Sequence, residues 1–195
     1  MAVQNKLYTA TDLWEISQQP ENADKRFELI EGIIYEVAPS SPANSVVAAR
    51  FVRWLGNFVE ELDLGFVTGA DGGFRVSVRD VYLPDAAFIS KARLPDLPQK
   101  EFPIAPDLAV EVVSPSETSR KVLDKVQGYL KAGTRMVLAV YIEDRVLDVY
   151  RLLKNGQMSV ETLRVGDTFD GADVLPGFHL ALADLFKGLP LQPSA

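Results

Sequence analysis

Three side chains in this sequence have types and positions suited to metal-assisted chemistry: Asp85, Glu111 and Lys125. Asp85 follows Pro84 at the head of an apolar run, and Glu111 interrupts a second apolar run further along the chain. A carboxylate inside a hydrophobic strand is costly to bury unless a partner compensates its charge. Two such acids followed by a lysine therefore indicate a divalent-metal site suited to phosphate chemistry.

The alternation of side chains along a strand gives this pair a specific geometry. In the second run Ala109 and Glu111 share one face, and in the first run Asp85 and Ala87 do the same. Each acid thus has an alanine two residues away, which leaves room for an ion and a scissile phosphate. If the two strands are adjacent and in register, both carboxylates point into one cleft. Hard oxygen ligands of this kind suit Mg²⁺ or Mn²⁺.

A helix after the second strand supplies the lysine. Lys121, Lys125 and Tyr129 are spaced four residues apart and lie on one helical face. A lysine near a metal-bound phosphate can orient the attacking water and stabilise the developing charge. Glu31, at a predicted hairpin turn, could supply a third acid as an extra ligand or base. The alternative for Glu111 is a structural ion pair with Lys125 that performs no chemistry, and Asp85 could be a turn residue after proline.

The elements that must position these residues follow from periodicity and turn signals. The pattern predicts a short helix from Thr9, a hairpin around Gly32 and a long helix opened by Pro42. A proline-rich segment, 91–106, is predicted to be an exposed loop. The remaining predicted elements are strands at 74–78, 83–89, 107–113, 136–142, 145–150 and 158–165, a helix ending near 132, and an extended piece with a short helix in 173–186. This order predicts one α+β domain over 1–195, with a central mixed sheet flanked by helices.

Composition limits the chemistry that the chain can perform. The sequence has no cysteine, which excludes disulfides, thiolate metal sites and a cysteine nucleophile. The single histidine, His179, excludes multi-histidine metal sites within one chain and is interpreted as a surface or edge residue. The net charge of −7 argues against a protein that coats nucleic acid non-specifically, although it is compatible with a nuclease whose bound cation neutralises the acids.

Two further expectations concern location and assembly. No apolar run approaches membrane-spanning length and the N-terminus has no hydrophobic signal core, so we expect a cytoplasmic protein without a membrane anchor. The C-terminal half is apolar and rich in strands that could pair with a second copy, so we expect a homodimer or a higher homo-oligomer.

The sequence also resembles the Uma-two family of restriction endonuclease-like proteins. The segments that carry this resemblance span nearly the whole chain: Phe27-Glu-Leu-Ile-Glu-Gly32, Ala38-Pro-Ser-Ser-Pro42, Pro84-Asp85, Pro106-Asp107-Leu-Ala-Val-Glu111-Val-Val-Ser114-Pro-Ser, Lys125 with Tyr129, Leu147-Asp-Val-Tyr-Arg151 and the closing stretch 174–186. The family is similar to the PD-(D/E)XK nucleases. The resemblance implies a restriction-endonuclease-like core with Mg²⁺ held by Asp85 and Glu111, and it matches Glu31 to the family's early acid.

The chain departs from the expected pattern at two positions near the site. The superfamily lysine normally lies two residues after the second acid, where this chain has Val113, so the resemblance implies that Lys125 has taken over the role. Family members often carry a histidine after the serine-proline break, where this chain reads Ala43-Asn44-Ser45. An asparagine cannot act as a base.

The leading hypothesis from the sequence is a Mg²⁺-dependent endonuclease that hydrolyses DNA phosphodiester bonds. Asp85 and Glu111 would hold the metal, Lys125 would position water and Glu31 would assist. The alternative is a catalytically inactive nucleic-acid- or protein-binding module on the same fold, in which the acids form only a structural ion pair.

Overall fold

A computed structural model describes residues 6–189 of the chain. Three of the four α-helices in these residues begin at side-chain or proline signals that the sequence carries. Thr9 and Asp12 form a reciprocal capping box at the first helix, Ser41 caps the second immediately before Pro42, and Thr118 caps the third. The helices are α1 (Ala10–Ser17), α2 (Pro42–Glu61), α3 (Ser119–Lys131) and α4 (Leu182–Leu185).

Twelve strands form three sheets within residues 6–189. They are β1 (Phe27–Ile30), β2 (Ile33–Glu36), β3 (Gly65–Gly69), β4 (Phe74–Ser77), β5 (Asp80–Tyr82), β6 (Ala86–Ser90), β7 (Leu108–Val112), β8 (Met136–Tyr141), β9 (Val146–Leu152), β10 (Met158–Arg164), β11 (Thr168–Asp170) and β12 (His179–Ala181). The central sheet has the order β10-β9-β8-β7-β6-β3. It is mixed, because β7 and β8 are parallel while the other pairs are antiparallel. The predicted α+β fold with a central mixed sheet is therefore confirmed.

A second sheet, with the order β2-β1-β5-β4, lies at the side of the central one, and β11 pairs with β12. The two faces of the central sheet are covered by different helices. Val110 packs in the larger core cluster together with Phe51 of α2, whereas Ala109 packs with Val126 and Tyr129 of α3. The predicted alternation of faces along β7 is thus observed, and it places the side of the sheet that carries Glu111 toward α3.

The predicted single strand over 83–89 is wrong in one respect that matters for the site. The strand in this range, β6, begins only at Ala86, and residues 83–85 connect it to β5, which ends at Tyr82 and belongs to the other sheet. Pro84 has no amide hydrogen to offer a neighbouring strand, and the amide of Leu83 instead donates to Oε1 of Glu28 at 2.8 Å. Asp85 consequently lies at the junction of the two sheets rather than inside a strand.

The proline-rich connection 91–106 also differs from the exposed loop that the sequence predicts. Phe102 stacks on Phe74 of β4 with ring centroids 4.3 Å apart, and Ala105 is buried. Backbone hydrogen bonds join Phe102 to Gly73 and Arg75. The prolines break regular structure, but the apolar residues between them still bury their side chains against the second sheet.

No helix within residues 6–189 is both long and apolar enough to cross a membrane.

Candidate active site

Asp85 lies immediately before β6, at the point where the central sheet meets the smaller one. The antiparallel register pairs Ala86 with Val110, so the next position places Asp85 opposite Glu111. Oδ2 of Asp85 accepts a hydrogen bond from the amide of Val112 at 2.7 Å. This bond fixes the Asp85 carboxylate against the end of β7, beside the strand residue that carries the second acid.

Glu111 is held by two donors from α3. Lys125 Nζ donates to Oε2 at 2.9 Å, and the Tyr129 hydroxyl donates to Oε1 at 2.8 Å. Because Lys125 and Tyr129 are four residues apart on one helical face, a single helix reaches both oxygens of the carboxylate. Each oxygen retains a further lone pair that can accept another ligand.

The Lys125 ammonium lies between two carboxylates. Its distances are 2.8 Å to Oε1 of Glu28, on β1, and 2.9 Å to Oε2 of Glu111. The three side chains are largely withdrawn from water, with 17% exposure for Lys125, 13% for Glu28 and 14% for Glu111. A lysine ammonium has three donors, so these two ion pairs leave one donor for a further acceptor.

The electrostatics of this cluster follow from burial and proximity. Burial raises the pKa of Asp85 above its ordinary value, partly opposed by the hydrogen bond from Val112. Burial likewise raises the pKa of Glu111, and the nearby acids Glu28 and Asp85 act in the same direction. Burial by itself would lower the pKa of Lys125, but Glu111 and Glu28 outweigh it, so the pKa is raised and the ammonium stays charged. The site thus concentrates carboxylates whose negative charge favours an additional cation.

Aromatic packing sets the position of α3 over the site. The rings of Tyr82 and Tyr129 meet edge to face with centroids 5.0 Å apart, and Lys125 Nζ lies 5.8 Å from the centroid of Tyr82. Gly128 allows this approach: a Cβ built on it would lie 2.6 Å from the Tyr82 hydroxyl oxygen. The absence of a side chain at Gly128 therefore lets β5 and α3 pack closely enough for Lys125 to reach Glu111.

Glu31 occupies a different place from the other predicted residues. It is exposed at the β1–β2 turn with φ at 52°, and its amide donates to Oδ1 of Asp80 at 2.7 Å. Within residues 6–189 its carboxylate makes no hydrogen bond or ion pair, so the structure brings together Asp85, Glu111 and Lys125 without it. Besides Glu111, a second acid contacts Lys125; it is Glu28, which was not among the residues that the sequence predicted. The available signal was an acid inside the apolar strand Phe27–Ile30, the same pattern that singled out Glu111.

Asn44 is the second residue whose role the sequence did not reveal. It is buried in the first turn of α2, and its Nδ2 donates to the carbonyl of Val112 at 3.1 Å. The Ser41 hydroxyl donates to Oδ1 of Asn44 at 2.9 Å and so orients the amide. Val112 is therefore held through its amide by Asp85 and through its carbonyl by Asn44, which fixes the strand end next to Glu111. Asn44 is a positioning residue in this arrangement.

The donor set fits a small divalent cation with few protein ligands. Within residues 6–189 no group of three or more acidic or histidine side chains is arranged to hold a metal ion. Mg²⁺, however, usually keeps several waters and is bound through one or two carboxylates together with substrate phosphate. Asp85 and Glu111 supply two hard oxygen ligands of this kind, and Lys125 lies beside them as a fixed cation.

An open cleft beside α2 includes Asp85 in its lining. We call it the Asp85 cleft; it has a volume of about 620 Å³. Its lining residues come from the segment before β1, from the α2 region, from the end of β3 and from Asp85, and they are Arg26, Pro39, Ser40, Ser45, Ala48, Ala49, Val52, Arg53, Gly69, Ala70 and Asp85. Of the predicted site residues, Asp85 alone lines this cleft, whereas Glu111 and Lys125 are not part of its lining.

Comparisons with known proteins show which family and which solved fold this chain resembles. Residues 13–183 match the model of the Uma2 family, which is described as "Putative restriction endonuclease". A solved structure from Anabaena variabilis ATCC 29413, titled as a "putative nuclease belonging to DUF820", is similar in fold. Its TM-score is 0.71 at 23% sequence identity, and the alignment covers 82% of this chain and 89% of that one. Among curated proteins, none matches the chain.

Proposed function

The chain belongs to the Uma2 family, and from that premise we propose that it is a Mg²⁺-dependent endonuclease that hydrolyses phosphodiester bonds in DNA. The observation that carries the proposal is that the Asp85 carboxylate, just before β6, accepts a hydrogen bond from the amide of Val112, the residue next to Glu111, while Lys125 Nζ lies 2.9 Å from Glu111. Asp85 and Glu111 would hold the ion. Once bound, it supplies positive charge that offsets the negative charge developing on the phosphate.

The chain's own residues account for the remaining requirements of the reaction. Two of the Lys125 donors bind Glu28 and Glu111, and the third is available for the attacking water or for a phosphate oxygen. Because the pKa of Lys125 is raised, this group acts as a hydrogen-bond donor and fixed charge rather than as a base. Tyr129 holds the Glu111 carboxylate in place, and the Asp85 cleft admits the strand that carries the scissile bond.

Cleavage of supercoiled plasmid and of a short single strand of DNA in Mg²⁺ or Mn²⁺ is the direct test. We expect Asp85→Asn, Glu111→Gln and Lys125→Met each to lower the rate by about 100-fold or more, because each removes charge from the reacting centre. Asp124→Asn, an exposed position on α3 that pairs with Arg120, is the matched control and should retain full activity. Cleavage that survives unchanged in Asp85→Asn would exclude this site.

The same assay decides which additional acid takes part. The sequence proposes Glu31, whereas the contacts favour Glu28, which lies 2.8 Å from Lys125 Nζ. We expect Glu28→Gln to reduce cleavage strongly, because it removes one of the two charges that orient Lys125. Glu31→Gln should leave cleavage close to the unmodified level. A strong loss in Glu31→Gln and none in Glu28→Gln would instead assign the role of the additional acid to Glu31.

A second candidate function is a non-catalytic nucleic-acid- or protein-binding module on the same fold. The observation that favours it is that each oxygen of Glu111 already accepts a hydrogen bond from α3. Calorimetric titration with Mn²⁺ separates the two functions. A nuclease should bind the ion through Asp85 and lose that binding in Asp85→Asn, whereas an inactive module should show no binding that depends on Asp85.

We also propose that the protein self-associates through the edge of its central sheet. β10 is the terminal strand on one side, and Val160 and Met158 on it are 54% and 37% exposed. An open edge with apolar side chains can pair with the same edge of a second copy. Light scattering after size exclusion should show an oligomer that Val160→Lys converts to monomer.

A further inference from the structure

Arg26 joins the Asp85 cleft to a second cleft, which we call the Trp14 cleft. The Trp14 cleft has a volume of about 420 Å³ and lies between α1, the start of β1 and the segment 100–102. Arg26 lines both clefts, and its position just before β1 places it between them. Both volumes fall in the range of about 300–1,000 Å³ that is usual for sites binding small organic groups. The two clefts therefore form neighbouring compartments with one shared cationic residue.

The charges around the Asp85 cleft differ from those of the whole chain. The chain carries a net charge of −7, but the residues that line this cleft include two arginines, Arg26 and Arg53, and a single acid, Asp85. Neither arginine makes a strong ion pair with another residue in the described part of the chain. Arg53 rests on the Trp54 ring at 4.8 Å and pairs with no acid in the described part of the chain. Arg26 makes one ion pair, at 3.4 Å, with a side chain of Asp71 that is 86% exposed.

Exposed ion pairs of this kind contribute little, so a phosphate can displace Asp71 from Arg26 at small cost. Guanidinium groups suit phosphate because their planar donors form paired hydrogen bonds with its oxygens. One arginine lies on the α2 side of the cleft and the other on the β1 side, with Asp85 also on the lining. The arrangement suits a chain of phosphates that crosses the cleft in front of the reacting centre.

The Trp14 cleft has a different character. Three half-buried aromatic residues, Trp14, Phe27 and Phe102, line it together with the exposed cations Lys25 and Lys100. Two acids also line it, and each pairs with an arginine: Asp71 with Arg26 and Glu101 with Arg75. Lys100 Nζ lies 5.9 Å from the Trp14 ring centroid, so one face of the indole already carries a cation. Aromatic faces next to cations are the combination by which proteins hold unpaired bases and their phosphates.

We propose that the two clefts together bind one nucleic-acid strand, with phosphates at Arg53 and Arg26 on either side of Asp85 and an unstacked base in the Trp14 cleft. The proposal rests on the proposed nuclease function and specifies its substrate as single-stranded DNA or a single-stranded segment. A base in an intact duplex is paired and stacked on its neighbours, so it cannot enter the Trp14 cleft. The shared residue Arg26 binds the phosphate that connects the two compartments.

Binding in EDTA tests the proposal without cleavage. A short fluorescein-labelled DNA strand and the duplex of the same sequence are titrated with the full chain, and anisotropy is followed at several salt concentrations. We expect the single strand to bind about tenfold more tightly than the duplex. Arg26→Gln and Arg53→Gln should each weaken strand binding about five- to tenfold. Each should also reduce the dependence of log K on log salt by about 0.7, the amount for one lost phosphate contact.

Matched variants separate these contacts from general charge effects. Arg120→Gln removes one positive charge from an exposed position on α3 and should change neither the affinity nor the salt dependence. Asp71→Asn releases Arg26 and should strengthen strand binding about two- to fivefold, whereas Asp124→Asn makes the same charge change elsewhere and should not. Equal effects of Arg120→Gln and Arg53→Gln, or tighter binding of the duplex, would overturn the proposal.

Tryptophan fluorescence reports on the base. The chain has two tryptophans, so Trp54→Phe leaves Trp14 as the sole emitter. We expect the strand to quench Trp14 over the same concentration range as the anisotropy change, and an abasic strand to bind without quenching. Quenching by the abasic strand, or no quenching by the normal strand, would contradict the binding of a base in the Trp14 cleft.

The outcomes remain distinguishable from those of the nuclease proposal. Strand binding that depends on Arg26 and Arg53, but without metal-dependent cleavage, contradicts the proposed nuclease function and supports the proposed strand binding in the two clefts. Cleavage that depends on Asp85 but is unchanged in Arg26→Gln and Arg53→Gln supports the nuclease function and contradicts the proposed strand binding in the two clefts.

Discussion

The Lys125 ammonium lies 2.9 Å from Oε2 of Glu111, although the two residues are 14 positions apart and belong to a helix and a strand. The contact exists because β7 runs under α3, whose Tyr129 binds the other oxygen of the same carboxylate. Glu28 also contacts Lys125, so the lysine is the centre of a largely buried group of two carboxylates and one ammonium. Much of the behaviour of the site follows from this imbalance of charge.

Removing Lys125 should be far more costly than removing a lysine one turn away. Lys125→Met leaves Glu28 and Glu111 close together and largely buried without a cation, and loss of one partner from such a cluster costs about 3–5 kcal/mol in free energy of unfolding. Lys121→Met, at an exposed position of α3, should change stability by less than about 0.5 kcal/mol. Urea unfolding at neutral pH measures both. Equal and small effects would mean that the two acids are not ionised together.

Asn44 should contribute to stability through the end of β7. Asn44→Ala removes the donor to the Val112 carbonyl and leaves that buried group without its partner, at a cost of about 1–3 kcal/mol. Asn57→Ala changes an exposed asparagine of α2 and provides the comparison, with an expected change within about 0.5 kcal/mol. We further expect Asn44→Ala to weaken Mn²⁺ binding in calorimetry, because the strand end beside Glu111 loses one of its two anchors.

Asp85 should make stability depend on pH in a definite direction. Its pKa is raised on folding, so the folded chain binds more protons there than the unfolded chain does. The free energy of unfolding therefore decreases as pH rises above about 3.8, the ordinary value, and through the folded pKa. Asp85→Asn retains an oxygen for the Val112 amide but has no charge to bury.

In EDTA we expect Asp85→Asn to be more stable than the unmodified protein at pH 7, with the difference shrinking as pH falls toward 4. Urea unfolding across this range gives the measurement, and Asp124→Asn is the control with no such trend. Saturating Mg²⁺ should reverse the order, since an ion bound through Asp85 stabilises only the unmodified chain. A less stable Asp85→Asn at pH 7 in EDTA would show that the acid is stabilised rather than strained by its surroundings.

Two glycines in helices should respond to alanine in opposite ways. At Gly128 a Cβ would approach the Tyr82 ring to within 2.9 Å of Cε2, so Gly128→Ala pushes α3 away from β5 and should be destabilising. We expect a loss of about 1–3 kcal/mol and a fall in cleavage, because Lys125 moves with the helix. At Gly56 nothing lies within 4 Å of the added atom, and Gly56→Ala should stabilise α2 by about 0.5–1 kcal/mol.

Thermal melts of these two variants, with plasmid cleavage alongside, make the comparison. Both substitutions improve helix propensity equally, so the difference between them isolates the contact with Tyr82. Stabilisation by both would show that α3 can shift without loss, and the close approach of Tyr82 would then have no part in positioning Lys125.

The local elements could be predicted from sequence because their signals are local. The capping pattern that begins at Thr9, Pro42 at the start of α2 and the alternation along β7 each act within a few residues, and each prediction was confirmed. The predicted strand over 83–89 was wrong at its start, because residues 83–85 lie outside the ladder although the apolar run has the composition of one strand. The amide of Leu83 bonds instead to Glu28, 55 residues away, and no local pattern reports such a bond.

The sequence by itself determined that two acids and a lysine would stand out, because an acid in an apolar strand is visible without any structure. It also determined the face of β7 that carries Glu111, since side chains in a strand alternate. Only the tertiary structure decided that Glu28, and not Glu31, would lie beside Lys125, and that Asn44 would anchor a strand 68 positions away. Those relationships depend on the order of strands and the placement of helices across them. That order is set by burial of the whole apolar core rather than by any short stretch of residues.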